Sequence, residues 1–389
     1  MIKIGIRRNL IFPIILIICE LARTIELDLL EFKFDFKNSF LFTVIMYFSE
    51  MIFGLIIFLN QKQLFKKKKQ KQTENYKGIE LITNETNDSD IPIQDSRLKN
   101  NLIIFAISLI DGMHFFFQTY VFPDLLEPTV ISKSLLVRLT GIITLFSALL
   151  YYLLLKTAIY RHQQYCLFII GFCLIIILIT ELLIQKDFFD YIKALLLIFY
   201  IHLSHAIIAS LEKYLIEINY IDPFQMLMIE GVYGIIISSI TLVFLFVSNN
   251  NPFKEIKEIE EKKNLHDLLI ILLLLFIFFL LSGGRNSYKE ATNKIFSPMT
   301  ISLSYCIVNP LLIIYYFLVE RDFNNQNKYK NLIHLIINIV ISLVIVFIGC
   351  IYNEALIIFC CGCEHDTFIE IRRRGIDDTV LGYTLNDDD

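Results

Sequence analysis

Residues 268–281 read LLIILLLLFIFFLL, and residues 332–351 read LIHLIINIVISLVIVFIGCI. Both runs are continuous rather than alternating, which favours helices over strands. A helix needs about 20 mostly apolar residues to cross the hydrocarbon of a bilayer. Of the 389 residues, 56% are hydrophobic and only 19% are charged, which is too little polar surface for a soluble domain. The sequence therefore predicts an all-α polytopic membrane protein.

Ten apolar blocks predict about ten transmembrane helices. The blocks are 9–22, 39–59, 102–122, 129–155, 164–185, 193–211, 225–247, 267–283, 298–318 and 332–351. The first block is short and follows the basic residues Lys3, Arg7 and Arg8. Residues 1–22 therefore also fit a cleaved signal peptide, which would leave nine helices.

The positions of the basic residues predict that both termini are cytoplasmic. With the N-terminus inside, 21 of the 35 Lys and Arg residues fall on the cytoplasmic side. Residues 61–100 carry nine of them, and their polar composition predicts a disordered basic loop. The formal net charge is −4, so we expect no nucleic-acid partner. The apolar helices imply that the lipid bilayer is a partner.

Two features outside the helices allow more than one interpretation. Asn84 and Asn87 begin glycosylation sequons, which stay unmodified in a cytoplasmic loop, whereas a glycan there would invert the topology. Cys360, Cys361 and Cys363 follow the last block closely, and they fit either palmitoylation or unmodified thiols.

The starts of the fourth and ninth blocks repeat one another. Residues 128–134 read PTVISKS and residues 298–304 read PMTISLS, so Pro, Ile, Ser and Ser recur without a gap. Blocks four and nine are equivalent members of two five-helix halves. Because five is odd, the second half enters the membrane from the opposite side, as in the inverted repeats of secondary transporters. We expect helices 1–2 in 1–60, helices 3–5 in 101–185, the second repeat in 186–355 and a cytoplasmic tail in 356–389.

Ionisable residues inside the predicted helices indicate a polar cavity, because such residues usually face a cavity or one another. Arg138 and Lys133 would attract an anionic substrate such as a phosphate. Asp111, Glu50 or a histidine would carry a coupling proton. The structural alternative pairs Asp111 or Glu230 with Arg138 and gives the histidines interhelical hydrogen bonds. The candidate substrate-binding residues are Arg138, Lys133, Asp111, His114, Gln118, Glu50, Glu230, His202 and His205.

Several segments resemble the drug/metabolite transporter superfamily, in its nucleotide-sugar-transporter-like branch, solute carrier family 35, subfamily F. The specific part is Leu211-Glu212-Lys213-Tyr214, Asp222-Pro223-Phe224-Gln225 and Glu230-Gly231-Val232-Tyr233-Gly234, which is similar to the family's EEK(Y/F), HPLQ and EGxFG at nearly the same spacing. Weaker matches are Met46-Tyr47-Phe48-Ser49-Glu50, Asp111, Arg161-His162-Gln163 and Ile351-Tyr352-Asn353-Glu354.

The resemblance implies ten helices in two inverted halves and transport of a small molecule without ATP. It also implies an endomembrane location, in Golgi or endosome/lysosome, and it is compatible with a homodimer. Arg138 matches the family's arginine of helix 4. In helix 9 both family arginines are replaced, by Ile301 and Val308, and the family's aspartate by Tyr305. This departure fits either a less anionic substrate than a nucleotide sugar or a diverged member of the family.

Three functions are compatible with these observations. The favoured one is a secondary transporter of a nucleotide sugar or another small polar metabolite, with no enzymatic activity, cofactor or metal. The second is a polytopic enzyme acting on lipid, with Asp111 and His114 as an acid–base pair. The third is a membrane adaptor that keeps the transporter fold without transporting.

Overall fold

The computed structural model describes residues 2–4, 11–34, 36, 38–76, 93–116, 133–157, 159–184, 188–247, 263–320 and 328–358. Nearly all of them are helical. The helices are α1 (Ile11–Phe34), α2 (Ser39–Tyr76), α3 (Ile93–Phe116), α4 (Lys133–Arg138), α5 (Gly141–Leu155), α6 (Arg161–Ile184), α7 (Phe188–Glu217), α8 (Pro223–Val247), α9 (Leu265–Ile295), α10 (Pro298–Glu320) and α11 (Lys328–Tyr352).

Seven of the described helices are long and apolar enough to cross a membrane. They are α2, α6, α7, α8, α9, α10 and α11, and α5 is a shorter apolar helix. The chain is therefore an integral multi-pass membrane protein, as the sequence predicted.

The outward face of α6 illustrates why the bundle suits lipid. Phe168, Phe172, Ile175 and Ile179 follow one another at helical spacing and are all more than half exposed. On the opposite face Ile170 and Ile177 are completely buried, within the largest apolar core cluster. A continuous exposed apolar stripe of this kind is compatible with hydrocarbon and not with water.

Helix α9 is longer than the sequence indicated. The predicted helix covered 267–283, but α9 continues to Ile295. The added turns bury Arg285, Asn286 and Glu290. The prediction ended too early because it followed apolar continuity, whereas this segment stays helical through contacts between polar groups.

The segment between the second and third apolar blocks is also partly helical. Helix α2 runs on to Tyr76, and α3 begins at Ile93. The Lys and Gln residues after position 60 are good helix formers, so they extend an existing helix at little cost. Residues 77–92, with both sequons, lie outside the described residues, as do Cys360, Cys361 and Cys363.

Helices α4 and α5 together occupy the fourth predicted block, and they are separated by a break. Helix α4 ends at Arg138 and α5 begins at Gly141. At the break, the Thr140 hydroxyl donates to the Val137 carbonyl at 2.7 Å. Helix α10 contains Pro310 in its interior, where a backbone N–H is missing from the helical ladder.

Two short strands join the ends of the described chain. Strand β1 (Ile2–Ile4) pairs in antiparallel register with strand β2 (Leu356–Ile358), which follows α11 closely. Residues 2–4 and 356–358 consequently lie at the same end of the bundle.

Helices α2 and α8 cross at very short range, backbone against backbone. A Cβ on Gly231 would lie 2.5 Å from the amide nitrogen of Met51, and a Cβ on Gly54 would lie 2.6 Å from that of Met228. Small residues at a helix crossing permit this approach, which is a common way for membrane helices to associate.

Candidate functional site

A polar cavity lies inside the bundle, between α3, α5, α7, α9 and α10. Its polar lining consists of Asp111, His205, Arg285, Lys289, Ser302 and Tyr305. The cavity volume is 20 Å³, which is room for about one ordered water. The cavity is too small for a metabolite in this conformation, so the surrounding helices would need to move apart to admit one.

Arg285 is held by partners from three elements. Its Nε donates to Glu20 Oε2 of α1 at 2.5 Å, and one terminal nitrogen donates to Tyr305 Oη of α10 at 3.0 Å. The other terminal nitrogen donates to the neighbouring Asn286 at 2.7 Å. A guanidinium has five N–H groups, so these three bonds fix its plane and leave donors for a ligand in the cavity.

Lys289 lies one turn further along α9 and connects the cavity to a group of acidic residues. Its ammonium donates to Glu212 Oε1 of α7 at 2.5 Å and lies 3.5 Å from Glu290 Oε1. Glu212 and Glu290 are completely buried. Oxygen atoms of Glu212, Glu230 and Glu290 all lie within 4.8 Å of one another.

Glu50 and Asp111 complete the acidic side of the site. Asn286 donates to Glu50 Oε1 of α2 at 2.5 Å, so Asn286 links Glu50 to Arg285. Asp111, which lines the cavity, interacts with the Tyr47 hydroxyl of α2. The Tyr47 hydroxyl also lies 3.3 Å from the Ser108 carbonyl, to which it can donate.

Three histidines cluster on the other side of the cavity. His114 Nδ1 lies 2.7 Å from Ser204 Oγ, and its ring packs edge-to-face on His205, with 4.1 Å between the centroids. His205 in turn approaches Tyr305, at 6.1 Å between centroids. His202 is buried close to His114 and to the Leu136 carbonyl. The histidines therefore fasten α3 to α7 beside the cavity.

Arg138 occupies a different place from the cavity lining. It forms an ion pair with Glu181 of α6, and both side chains are less than a tenth exposed. The structural alternative drawn from the sequence named Asp111 or Glu230 as its partner, so the acceptor is a residue we had not considered.

The structure brings together six of the nine residues predicted from the sequence. Glu50, Asp111, Glu230, His114, His202 and His205 all surround the cavity or the adjoining acidic group. Lys133 begins α4, and its side chain lies outside the described part, as does the whole of Gln118.

Sequence reasoning missed Arg285 and Lys289, the two cations of the cavity. Both lie beyond the end of the predicted helix over 267–283. Their spacing could have indicated a continued helix, because residues four apart lie on one helical face. The small residues at 282–284, just before them, also permit close packing of helices.

The residues that carried the family resemblance have definite structural roles. Asp222 Oδ1 accepts hydrogen bonds from the Phe224 and Gln225 amides at 3.0 and 3.1 Å, which caps α8 with Pro223 at its first position. Lys213 Nζ donates to the carbonyls of Asn293 and Phe296 at the end of α9, at 2.7 and 2.6 Å.

Two of the weaker motifs meet in space. His162 Nε2 of α6 lies 3.7 Å from Glu354 Oε1, just after α11. The Thr300 hydroxyl of α10 donates to Asn353 Oδ1 at 3.0 Å. These motifs therefore tie α6, α10 and α11 together at one end of the bundle.

Comparison of the sequence with models of known protein families and with curated proteins finds no match in either.

Proposed function

We propose that this protein is a secondary transporter that moves a small polar or anionic metabolite by alternating access. The observation that carries the proposal is the polar cavity, in which Arg285 and Lys289 face Asp111, His205 and Tyr305. Charged groups are costly inside a membrane and are usually kept there for a solute pathway or a relay.

The position of Arg285 along its helix supports this proposal. Arg285 lies ten residues before the end of α9 at Ile295, which is about 15 Å at about 1.5 Å per residue, so it is well inside the bundle and not at the helix end. Substrate sites of secondary transporters lie near the midplane, between two halves.

Helix packing supports ten crossings arranged as two related halves. The helices of the two halves are paired in chain order: α1 with α7, α2 with α8, α3 with α9, α4–α5 with α10, and α6 with α11. Under this pairing, the contact between α1 and α9 corresponds to the contact between α7 and α3. The contact between α1 and α10 likewise corresponds to the contact between α7 and α5. Likewise α2 with α9 maps onto α8 with α3, and α5 with α6 onto α10 with α11. The pairs α2–α8, α5–α10 and α6–α11 map onto themselves, as a two-fold axis requires.

A second sequence repeat follows the same correspondence. Residues 46–54 of α2 read MYFSEMIFG, and residues 226–234 of α8 read MLMIEGVYG. Met, Glu and Gly recur at equal spacing, with an aromatic residue before the final Gly. Glu50 and Glu230 are the equivalent glutamates. Glu50 accepts a hydrogen bond from Asn286 beside the cavity, and Glu230 lies close to Glu212 and Glu290.

Helix irregularities occur at equivalent places in the two halves. The offset between PTVISKS and PMTISLS aligns Thr140, at the break between α4 and α5, with Pro310 inside the continuous helix α10. A short break and an interior proline each free backbone groups, and such irregularities are typical of transporter helices.

The paired strands support an even number of crossings. Because β1 and β2 lie at one end of the bundle, the chain enters and leaves the membrane on the same side. Ten crossings satisfy this condition, whereas nine or seven do not. We keep the cytoplasm as the proposed side, from the distribution of basic residues.

We also propose membership of the drug/metabolite transporter superfamily, because the residues of its motifs have structural roles and four of them, Glu50, Asp111, Glu212 and Glu230, lie at or beside the cavity. The family arginines missing from α10 have a counterpart in Arg285 and Lys289, which approach the same cavity from α9. An anionic group on the substrate, including that of a nucleotide sugar, is therefore compatible with this site. The endomembrane location and a homodimer follow from the resemblance alone.

Two experiments test the proposed function. Purified protein is first screened by thermal shift against nucleotide sugars, nucleotides and amines, because a bound ligand raises the unfolding temperature. Stabilising compounds are then tested for uptake into liposomes. We expect Arg285→Lys to weaken uptake by about 10- to 100-fold, since it loses the fork of hydrogen bonds while keeping the charge.

The matched control is Arg161→Lys, because Arg161 is exposed at the start of α6. Uptake that is equal in the wild type, in Arg285→Lys and in Arg161→Lys would remove Arg285 from the mechanism. An absence of uptake for every stabilising compound would contradict transport.

A further inference from the structure

The acidic group behind the cavity carries more negative charge than its surroundings can balance. Among the described residues of this network the cations are Arg23, Arg285 and Lys289. The carboxyl groups are twice as numerous: Glu20, Glu50, Asp111, Glu212, Glu230 and Glu290. Uncompensated ionised carboxylates are unfavourable when they are buried, because each loses its hydration.

Glu290 and Glu230 are the members of the group with the least support from hydrogen-bond donors. Glu290 is completely buried, and its contact with the Lys289 ammonium, 3.5 Å from Oε1, is long for a hydrogen bond. Glu230 is 6% exposed, and its Oε1 has no hydrogen-bond donor among the described residues. A buried carboxylate without donors is unfavourable, whereas a carboxyl group that holds a proton is tolerated there.

The three carboxyl groups are close enough to share protons. Their oxygens lie within 4.8 Å of one another, and Lys289 is the cation among them. One ammonium balances one carboxylate, so the remaining two need protons, as in other sites where neighbouring carboxyl groups titrate as a unit. Glu50 and Asp111 add further negative charge from α2 and α3, and Arg285 and Tyr305 face Lys289 from the cavity side.

We propose that Glu212, Glu230 and Glu290 form a proton-binding site that couples transport to proton movement, with Lys289 as the link to the cavity. This inference rests on the proposed function and names its coupling ion. A proton from water adds to a carboxyl oxygen of the group when the cavity is open to one side, and it leaves when the cavity opens to the other.

Lys289 provides a physical route for the coupling. It lines the cavity and also contacts Glu212 and Glu290. An anionic substrate that attracts the ammonium draws it away from these carboxyl groups, which then bind a proton more tightly. By linkage, a proton on the group frees Lys289 for the substrate and raises substrate affinity by the same factor.

A divalent cation is the other occupant that three carboxyl oxygens would fit. The Lys289 ammonium argues against it, because it already lies 2.5 Å from Glu212 and 3.5 Å from Glu290. A metal ion would have to share the same space with this positive charge.

The test measures protonated carboxyl groups directly in the purified full-length protein without substrate. A protonated carboxyl group has its own C=O stretching band, at a higher frequency than the amide bands and absent from the carboxylate, and difference spectra between variants assign it. We expect Glu290→Gln and Glu230→Gln each to lose part of this band at neutral pH. The control Glu217→Gln should keep the whole band, since Glu217 is a third exposed at the end of α7 and pairs with Lys213.

Carbodiimide labelling provides a second measurement on the unaltered chain, in case the variants do not fold. Dicyclohexylcarbodiimide adds as a whole molecule to a protonated carboxyl group in an apolar environment, with no leaving group, and mass spectrometry locates the adduct. We expect labelling of Glu230 or Glu290 that declines as pH rises.

Two outcomes would overturn the proton site. One is an unchanged band in both variants, with no adduct on any of the three glutamates of the folded protein. The other is thermal stabilisation by Ca²⁺, Mg²⁺ or Mn²⁺ alone that Glu290→Gln abolishes, which would identify a metal site. Because neither measurement uses a transported solute, failure of the proton site is distinguishable from failure of the proposed transport.

Discussion

At the scale of single residues, the ion pair between Arg138 and Glu181 is a stability feature. Both side chains are buried, so removal of one partner leaves an uncompensated charge in the bundle. We expect Arg138→Ala to cost about 3–5 kcal/mol of stability, and the double variant Arg138→Met, Glu181→Leu to recover most of it. Thermal unfolding in detergent measures both. A double variant no more stable than Arg138→Ala would contradict the pair.

The interactions of Arg138 were only partly predictable from the sequence. The sequence predicted that Arg138 binds an anionic substrate, with a buried ion pair as the structural alternative, and the structure has it in an ion pair. The sequence did not identify Glu181, since the two residues are far apart in sequence and their helices meet only in the folded bundle. Asp111 and His205 were recognised as polar residues in apolar helices, whereas Arg285 and Lys289 were missed because they follow an apolar run that had seemed complete.

At the scale of elements, the crossing of α2 and α8 depends on glycine. A Cβ on Gly231 would lie 2.5 Å from a backbone nitrogen of α2, and a backbone cannot give way as a flexible side chain does. We expect Gly231→Ala to destabilise the protein by about 1–3 kcal/mol, as overpacking does.

Gly171 of α6 provides the matched control, because a Cβ there would meet nothing within 4 Å. Gly171→Ala should be neutral or stabilising by up to about 1 kcal/mol, since alanine is the better helix former. Unfolding temperatures of the two variants that shift equally would argue against a close crossing.

Helix identity was predictable from the sequence, and helix ends were not. Continuous apolar runs are decisive for the existence of α6, α8 and α11 because only a helix satisfies its backbone within a bilayer. The end of α9 at Ile295 and the break before Gly141 depend on tertiary contacts of polar side chains, such as Asn293 with the Ala209 carbonyl at 3.1 Å. Such contacts between distant residues cannot be predicted from the local composition of the sequence.

At the scale of the whole molecule, the pairing of β1 with β2 predicts that both termini lie on one side of the membrane. Reporter tags at the two ends should give the same protease accessibility in sealed vesicles, before and after permeabilisation. Tags on opposite sides would require an odd number of crossings and would contradict the two five-helix halves.

The central claim is that the cavity opens alternately to the two sides of the membrane. Ser302 lines the cavity, whereas Ser49 is completely buried outside its lining. In a cysteine-free background, Ser302→Cys and Ser49→Cys are each exposed to a membrane-impermeant thiol reagent, added to one side or the other of sealed proteoliposomes. We expect Ser302→Cys to be labelled from either side and Ser49→Cys from neither. Labelling of Ser302→Cys from one side alone, or from neither, would contradict alternating access.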